Sequence, residues 1–137
     1  MSLRDQTIIM SGGSRGIGEA IAVKAAADGA NVVLLAKTDQ PHPALPGTIH
    51  TAAANIEAAG GKALALVGDI RDDEFVAGAV EQAVATFGGI DIVVNNASAI
   101  DLSRTEDISM KKYDLMTQIN ARGSFLLSKL SIAHLRK

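Results

Sequence analysis

The chain has 137 residues, no cysteine and a formal net charge of −2 at pH 7. The lack of cysteine excludes disulfide bonds, thiolate catalysis and cysteine-ligated metal sites. The basic residues are scattered along the chain, so the sequence predicts neither nucleic acid nor an anionic membrane as a partner. No apolar run approaches the roughly 20 residues that a membrane-spanning helix needs, and no secretory leader is visible. We therefore expect a cytoplasmic location.

Apolar residues make up 47 % of the sequence, whereas aromatic residues make up only 3 %. This balance is typical of an α/β domain, in which buried strands read as continuous runs of branched apolar residues. The length suffices for one domain with a substantial core. We assign residues 1–137 to one dinucleotide-binding domain, for the reasons given below.

The predicted elements alternate between strands and helices. The first strand (7–10) leads through a glycine-rich turn into a helix (17–28). The second strand (31–36) is followed by a proline-rich surface connection (37–47) and a helix (48–59). The third strand (63–67) precedes a helix with Asp72 as its N-cap, and Gly88 ends that helix. The fourth strand (90–94) precedes a long helical segment from 109 to the C-terminus, bent near Asn120 and Gly123.

This alternation predicts a fold of the α/β class. Right-handed crossovers between successive strands give a parallel sheet with helices on both faces. In the doubly wound (Rossmann-type) arrangement the strand order is 3-2-1-4. Ligands of such sheets bind beyond the carboxyl ends of the strands, here between strands one and four.

The glycine-rich turn has the features of an anion-binding site. Its spacing is G-x-x-x-G-x-G at Gly12, Gly16 and Gly18, which differs from the usual dinucleotide pattern G-x-G-x-x-G. The turn nevertheless falls between a strand and a helix, and a helix N-terminus offers free N–H groups and a partial positive charge to a diphosphate. We expect Gly12 and Gly13 to adopt unusual backbone angles, and Gly18 to let the helix pack closely on the strand.

Polar residues also follow the other predicted strands. Lys37 follows the second strand, Asp69 the third, and Asn95 and Asn96 the fourth. Because the carboxyl ends of parallel strands meet at one edge of the sheet, these side chains should gather around one ligand. The sequence thus predicts a dinucleotide site at this edge.

The motifs SGGSRGIG, GDI and NNAS, in that order and at this spacing, resemble those of the short-chain dehydrogenase/reductase family. Asn120 and the three residues after it resemble the helical asparagine motif of that family, and the resemblance covers nearly the whole chain. The connection KTDQPHPALPGTIHTAA further resembles the hydroxysteroid dehydrogenase-like subgroup. The resemblance implies that the cofactor diphosphate and adenosine ribose bind to Gly12, Gly13, Ser14, Arg15, Gly16, Ile17 and Gly18.

The resemblance also implies roles for residues after the third and fourth strands. Asp69 would accept a hydrogen bond from the adenine amino group, with Ile70 beside the ring. Asn96 and Ala97 would line the ribose through backbone contacts. Ser98 stands where the family more often has glycine, which predicts a slightly altered pocket wall.

Asn120 is the one catalytic residue implied within the chain, where it would hold a water that helps a lysine relay protons. As alternatives, Asp69 could be a turn or capping residue, and Asn120 a structural amide in a bent helix. Asn95 is interpreted as structural, tying neighbouring strands together.

Charge after the second strand bears on the choice of cofactor. A base there favours a 2′-phosphate and an acid favours a ribose diol. Lys37 follows the strand directly and Arg15 projects from the glycine turn, which predicts NADP rather than NAD. Asp39 is the contrary signal, because it lies near the spacing of an acidic ribose ligand. No pattern joins the histidines, so no metal site is predicted.

The serine and the Tyr-x-x-x-Lys of the resembled family are absent, since Tyr113 is followed four residues later by Thr117. We interpret Tyr113 as a helix-packing residue. The missing residues and an uncovered fourth strand predict a domain incomplete at its C-terminus, which would be inactive alone.

The implied full-length function is an NADP-dependent oxidoreductase that acts on a small carbonyl or alcohol substrate, as a homo-oligomer. The alternative is a non-catalytic nucleotide-binding module with a sensing or scaffolding role.

Overall fold

A computed structural model describes residues 2–135 of the protein. Its strands are β1 (Thr7–Ser11), β2 (Asn31–Ala36), β3 (Lys62–Val67) and β4 (Ile92–Asn95). Its helices are α1 (Gly16–Ala27), α2 (Ile49–Ala58), α3 (Asp73–Phe87), α4 (Met110–Thr117) and α5 (Ser124–Leu135), with a π-helical segment, Gln118–Gly123, between the last two. The predicted final helical segment is confirmed as far as Leu135, with the π-helical segment at the place where a bend was predicted, and its last two residues lie outside the described part.

The four strands form one parallel sheet in the order β3-β2-β1-β4, as predicted. β1 and β2 are buried at every position because both faces of the sheet are covered. Alternate side chains separate into two cores. Ile9 and Val33 pack with α3 and α5 on one face, and Met10 and Leu34 pack with α1 and α2 on the other. β4 lies at an edge of this sheet, and its apolar residues are only partly buried.

Several element boundaries were predicted wrongly by one or two residues. β1 continues to Ser11, and β4 begins at Ile92 instead of residue 90. Asp91 therefore precedes β4, where its carboxylate accepts a hydrogen bond from the Thr7 N–H at 2.7 Å. The Asp91 N–H donates in turn to the Thr7 carbonyl at 2.9 Å, so this residue pairs with β1 directly before β4 begins.

The helix starts have different local causes. Thr48 and Thr51 form a reciprocal capping box at α2, and the Asp72 carboxylate accepts from the N–H groups of Glu74 and Phe75 at α3. The cap at Asp72 is confirmed. Ser109 caps α4 in the same manner. Each cap satisfies N–H groups that have no partner within the helix.

The proline-rich connection after β2 is largely exposed, as expected, and its ends are tied down by the Ile49 N–H, which donates to the Thr38 carbonyl at 2.9 Å. Tyr113 is 51 % exposed, so its interpretation as a packing residue is wrong. In residues 2–135 no helix is long and apolar enough to span a bilayer.

Candidate functional site

A cavity of about 390 Å³ opens at the carboxyl edge of the sheet. The segments that follow all four strands contribute to its wall, so the polar residues that the sequence singles out lie around one space. Among the predicted cofactor residues, only Gly13, Gly16 and Gly18 are not part of the lining. The lining comprises Gly12, Ser14, Arg15, Ile17, Leu35, Ala36, Lys37, Thr38, Gly68, Asp69, Ile70, Asn96, Ala97, Ser98 and Ile119.

The glycine turn leaves the start of α1 without a side-chain cap. Arg15 occupies the N-cap position and its side chain makes no capping hydrogen bond. Gly12 and Gly16 have φ values of +75° and +59°, a region that side chains other than glycine rarely adopt. A Cβ on Gly16 would meet nothing within 4 Å, so the turn is open on that side. The uncapped helix start and the open backbone form a positive, accessible cradle.

Gly12 is also required for space. A Cβ there would lie 2.7 Å from the Ala97 Cα, which is closer than real Cβ contacts. The loop after β4 therefore presses against the turn after β1. Two strand ends are brought together at the point where the strand order reverses, which is the usual ligand position in such sheets.

Gly13 acts differently from the prediction, and Gly18 has a contact that was not predicted. Gly13 has no left-handed backbone, and a Cβ on it would collide with the Leu34 side chain of β2. A Cβ on Gly18 would lie 2.5 Å from the Asn96 amide nitrogen and 2.7 Å from the Gly12 carbonyl oxygen. Gly18 therefore lets α1 approach the end of β1 closely, as predicted, and also makes room for the loop after β4.

Asp69 is held by two cations. The Arg71 guanidinium binds the carboxylate through Nε and Nη2, with Nη2 at 2.6 Å, and the Arg71 backbone N–H donates to it at 3.0 Å. The Lys37 ammonium lies 3.2 Å from Oδ2. The Arg71 guanidinium, followed by the Lys37 ammonium, holds the pKa of the Asp69 carboxyl well below its usual range. Asp69 thus stays anionic at any physiological pH.

The residues directly after β2 have different surroundings, since some line the cavity and one is bonded to α2. Arg15 donates from Nη2 to the Thr38 hydroxyl at 3.0 Å, which keeps its guanidinium beside the cavity. Asp39 is bonded instead to His50 of α2, with Oδ1 and Nε2 separated by 2.6 Å. This bond lowers the pKa of Asp39. Lys37 and Arg15 therefore line the cavity, and Asp39 does not.

The loop after β4 is fixed by its own amides and by the strand beside it. The Asn96 side chain donates to the Gly12 carbonyl at 2.8 Å, and the Ala97 N–H donates to the Ser11 hydroxyl at 3.2 Å. Asn95 donates to the Ser128 hydroxyl at 2.9 Å. It ties β4 to α5, so the expectation that it joins neighbouring strands is wrong. Its side chain points to the face that α5 covers.

Asn120 lies in the π-helical segment and outside the cavity lining. Its side-chain oxygen accepts from the Ala99 N–H at 2.9 Å, and its amide nitrogen donates to the Ala99 carbonyl at 2.8 Å. The amide thereby fixes the loop that carries Ser98 into the cavity. Gly123 of the same segment allows close packing on Ile70, whose side chain lies 3.0 Å from the position of a Cβ there.

Arg71, Thr38 and Ile119 are among the residues of the site that sequence reasoning missed. Arg71 was overlooked, although D-x-R spacing at the end of a strand lets a guanidinium fold back onto the carboxylate. Thr38 was overlooked because its role depends on Arg15, which is 23 residues distant. Ile119 reaches the wall only because the π-helical segment folds over the sheet edge. Nothing in the local sequence signals that contact.

The chain is similar to proteins of known family. Residues 6–137 match the family described as short chain dehydrogenase. Hydroxysteroid dehydrogenase-like protein 2 of Danio rerio is 66 % identical over 131 residues, which cover 96 % of this chain and 32 % of that protein. The chain thus spans about a third of the length of such curated relatives. These relatives confirm the resemblance to the hydroxysteroid dehydrogenase-like subgroup.

Solved structures agree in fold. A short chain dehydrogenase of Mycobacterium thermoresistibile superimposes with a TM-score of 0.95 at 59 % identity, over 98 % of this chain and 48 % of that one. An NADH-dependent reductase, A1-R′, solved as a complex with NAD, has a TM-score of 0.83 at 31 % identity, over 98 % of this chain and 53 % of that one. The chain belongs to the short-chain dehydrogenase family.

Proposed function

We propose that this chain forms the NADP-binding half of an oxidoreductase that transfers a hydride between the cofactor and a small-molecule substrate, a carbonyl or a secondary alcohol. The observation that carries the proposal is the single cavity onto which the uncapped start of α1, Lys37, Asp69 and Asn96 all converge. The polar groups of the cavity come from the segments after all four strands. Polar groups that only stabilised the fold would not need to surround one cavity. The alternative of a non-catalytic module has no observation in its favour.

The residues present suit a dinucleotide. The diphosphate would bind at the start of α1, because the N–H groups of the first turn lack a side-chain cap and Gly16 leaves the approach open. Ser14 and Ile17 belong to the same wall. Asp69 would accept from the adenine amino group with Ile70 beside the ring, and the loop after β4 (96–98) would line the ribose.

Local charge supports NADP over NAD. Lys37 and Arg15 are the cations of the cavity wall after β1 and β2, and both are suited to a 2′-phosphate. Asp39, the one residue that argued for NAD, is engaged by His50. The NADH-dependent reductase of the same fold means that the fold by itself does not require NADP. The choice of cofactor must therefore be argued from these side chains.

The cofactor would supply the hydride, and this chain would bind and orient it. We assign the proton chemistry to a serine and a Tyr-x-x-x-Lys outside residues 1–137. Asn120 would support that chemistry by holding a water. Each polar group of its side chain makes one hydrogen bond to Ala99, which holds the amide in place and leaves one donor and one acceptor position for the water.

We further propose a cytoplasmic homo-oligomer. Apolar side chains on the last two helices support the oligomer, since Met110, Phe125 and Ile132 are 66 %, 68 % and 46 % exposed. Subunit pairing would cover them, as exposed apolar clusters commonly mark interfaces.

Fluorescence titration of the full-length protein with NADPH and NADH tests the cofactor assignment, and a screen of carbonyl substrates then tests the activity. We expect NADPH to bind more tightly than NADH. Lys37→Ala should weaken NADPH binding much more than NADH binding. Equal affinities in the wild-type protein, or equal losses in the variant, would contradict the NADP assignment. Failure of both cofactors to bind would contradict the dinucleotide site itself.

A further inference from the structure

The Asp69 carboxylate has no free acceptor position. A carboxylate offers about four lone-pair sites on its two oxygens. The Arg71 backbone N–H and Nε occupy Oδ1, each at 3.0 Å. Oδ2 accepts from Arg71 Nη2 at 2.6 Å and lies 3.2 Å from the Lys37 ammonium. An adenine amino group that binds Asp69 must therefore displace one of these donors.

Lys37 is the partner that can leave. Arg71 holds the carboxylate through Nε and Nη2 of its planar guanidinium and through its backbone N–H. Its side chain is 33 % exposed. Lys37 makes one contact, on a flexible stem, and its side chain is 64 % exposed. Exposed ion pairs of the latter kind contribute little to stability. Displacement of the ammonium therefore costs much less than displacement of the guanidinium.

We infer that Lys37 exchanges partners when the cofactor binds: its ammonium leaves Asp69 for the 2′-phosphate, and the adenine amino group takes the vacated position on Asp69. This inference rests on the proposed function, and it adds a link between two parts of the cofactor. Arg71 is the positioning residue that keeps the carboxylate in place during the exchange.

Because of this exchange, Lys37 would distinguish NADP from NAD in two ways: by attraction to the 2′-phosphate and by competition with the adenine for Asp69. NADP carries a phosphate that draws the ammonium away, through a charge-assisted hydrogen bond stronger than a single exposed ion pair. NAD has only a ribose hydroxyl there. Lys37 then competes with the adenine for Asp69, and the same side chain that favours NADP disfavours NAD.

The test is the affinity of the full-length Lys37→Met protein for NADH. Methionine keeps an unbranched apolar stem and removes the charge. We expect NADPH binding to weaken at least tenfold and NADH binding to tighten about two- to fivefold, the range that corresponds to loss of one exposed ion pair. NADH affinity that is unchanged or lower than in the wild type would overturn the inference.

Two further variants identify the cause of any gain in NADH affinity. Arg15→Met removes the same charge from the same cavity wall but leaves both partners of Asp69 in place. It should not tighten NADH binding, and an equal gain there would overturn the inference in favour of a general charge effect. In the Asp69→Asn background the gain on Lys37→Met should vanish, and its persistence would also overturn the exchange.

The proposed function fails separately, because it predicts the wild-type preference for NADPH. A wild-type protein that prefers NADPH, with no NADH gain in Lys37→Met, keeps the proposed function and loses the exchange.

Discussion

The polar groups at the two ends of the parallel sheet differ in how completely they are hydrogen-bonded. At the amino end, Thr7 is 1 % exposed and its N–H donates to Asp91, while the Asp91 N–H donates back to the Thr7 carbonyl at 2.9 Å. The Asn31 amide donates to the Thr7 hydroxyl at 3.4 Å. These groups satisfy one another across three strands, so that end of the sheet has a structural task.

At the carboxyl end, several groups have weak partners or none in their own element. The start of α1 lacks a side-chain cap, whereas α2, α3 and α4 each have one. Lys37 holds a single exposed ion pair. Natural proteins seldom leave polar groups unsatisfied without a functional reason. The difference is that the amino end holds its polar groups in complete pairs, whereas the carboxyl end leaves the start of α1 uncapped and Lys37 in one exposed ion pair, so both can bind a ligand.

We expect the largest effect on cofactor binding from a substitution that fills the space between the turn after β1 and the loop after β4, at the carboxyl end of the sheet. Gly12→Ala introduces a Cβ 2.7 Å from the Ala97 Cα at a φ of +75°, so both the loop after β4 and the backbone must shift. We expect NADPH affinity to fall more than tenfold, as measured by fluorescence titration. The unfolding free energy should also fall by about 1–3 kcal/mol from backbone strain.

Gly78→Ala is the matched control for that variant. Gly78 lies inside α3, its Cβ would meet nothing within 4 Å and its φ is not positive. Alanine there should stabilise the protein by about 0.5–1 kcal/mol through helix propensity, with NADPH affinity unchanged. Wild-type affinity in Gly12→Ala would show that the two loops do not form one site.

Removing a hydrogen bond at the amino end of the sheet should lower the unfolding free energy without changing cofactor affinity. Asp91→Ala leaves the buried Thr7 N–H without its acceptor, and we expect a loss of about 1–3 kcal/mol in the unfolding free energy. Asp91→Asn keeps an acceptor oxygen and should lose less. Urea unfolding measures both. NADPH affinity should stay within twofold of the wild type, and a larger change would mean that the two ends are coupled.

The smallest effect concerns pH. Arg71 and then Lys37 lower the pKa of Asp69 in the folded protein, whereas the unfolded carboxyl titrates near the ordinary value of about 3.9. A lowered folded pKa contributes stability that is complete above the unfolded value and is lost as pH falls through the folded value. Asp69→Asn should therefore be less stable than wild type at pH 7 and pH 5 by the same amount.

The difference in unfolding free energy between wild type and Asp69→Asn should narrow only below about pH 5, where the unfolded carboxyl begins to bind protons. Urea unfolding at pH 7, 5, 4 and 3 measures it. Narrowing between pH 7 and pH 5 would contradict the ion pairs of Asp69.

The sequence by itself determined the fold of this protein and the place of its site. Buried strands read as continuous apolar runs, and β2 was predicted with its observed bounds because Asn31 and Ala36 mark the two ends of such a run. Strands joined by helices run parallel, so the residues after each strand lie at one edge of the sheet. The convergence of Lys37, Asp69 and Asn96 follows from this alternation of strands and helices in the doubly wound order.

Only the tertiary structure decided what each side chain bonds. Asp39 and Lys37 follow the same strand two residues apart, yet one turns to His50 and the other to Asp69. Gly18 makes room for Asn96, 78 residues further along the chain, as well as for the end of its own strand. Periodicity fixes which edge a residue reaches, because the backbone repeats are regular. The partner at that edge depends on distances of a few ångströms between segments far apart in sequence, which no local pattern encodes.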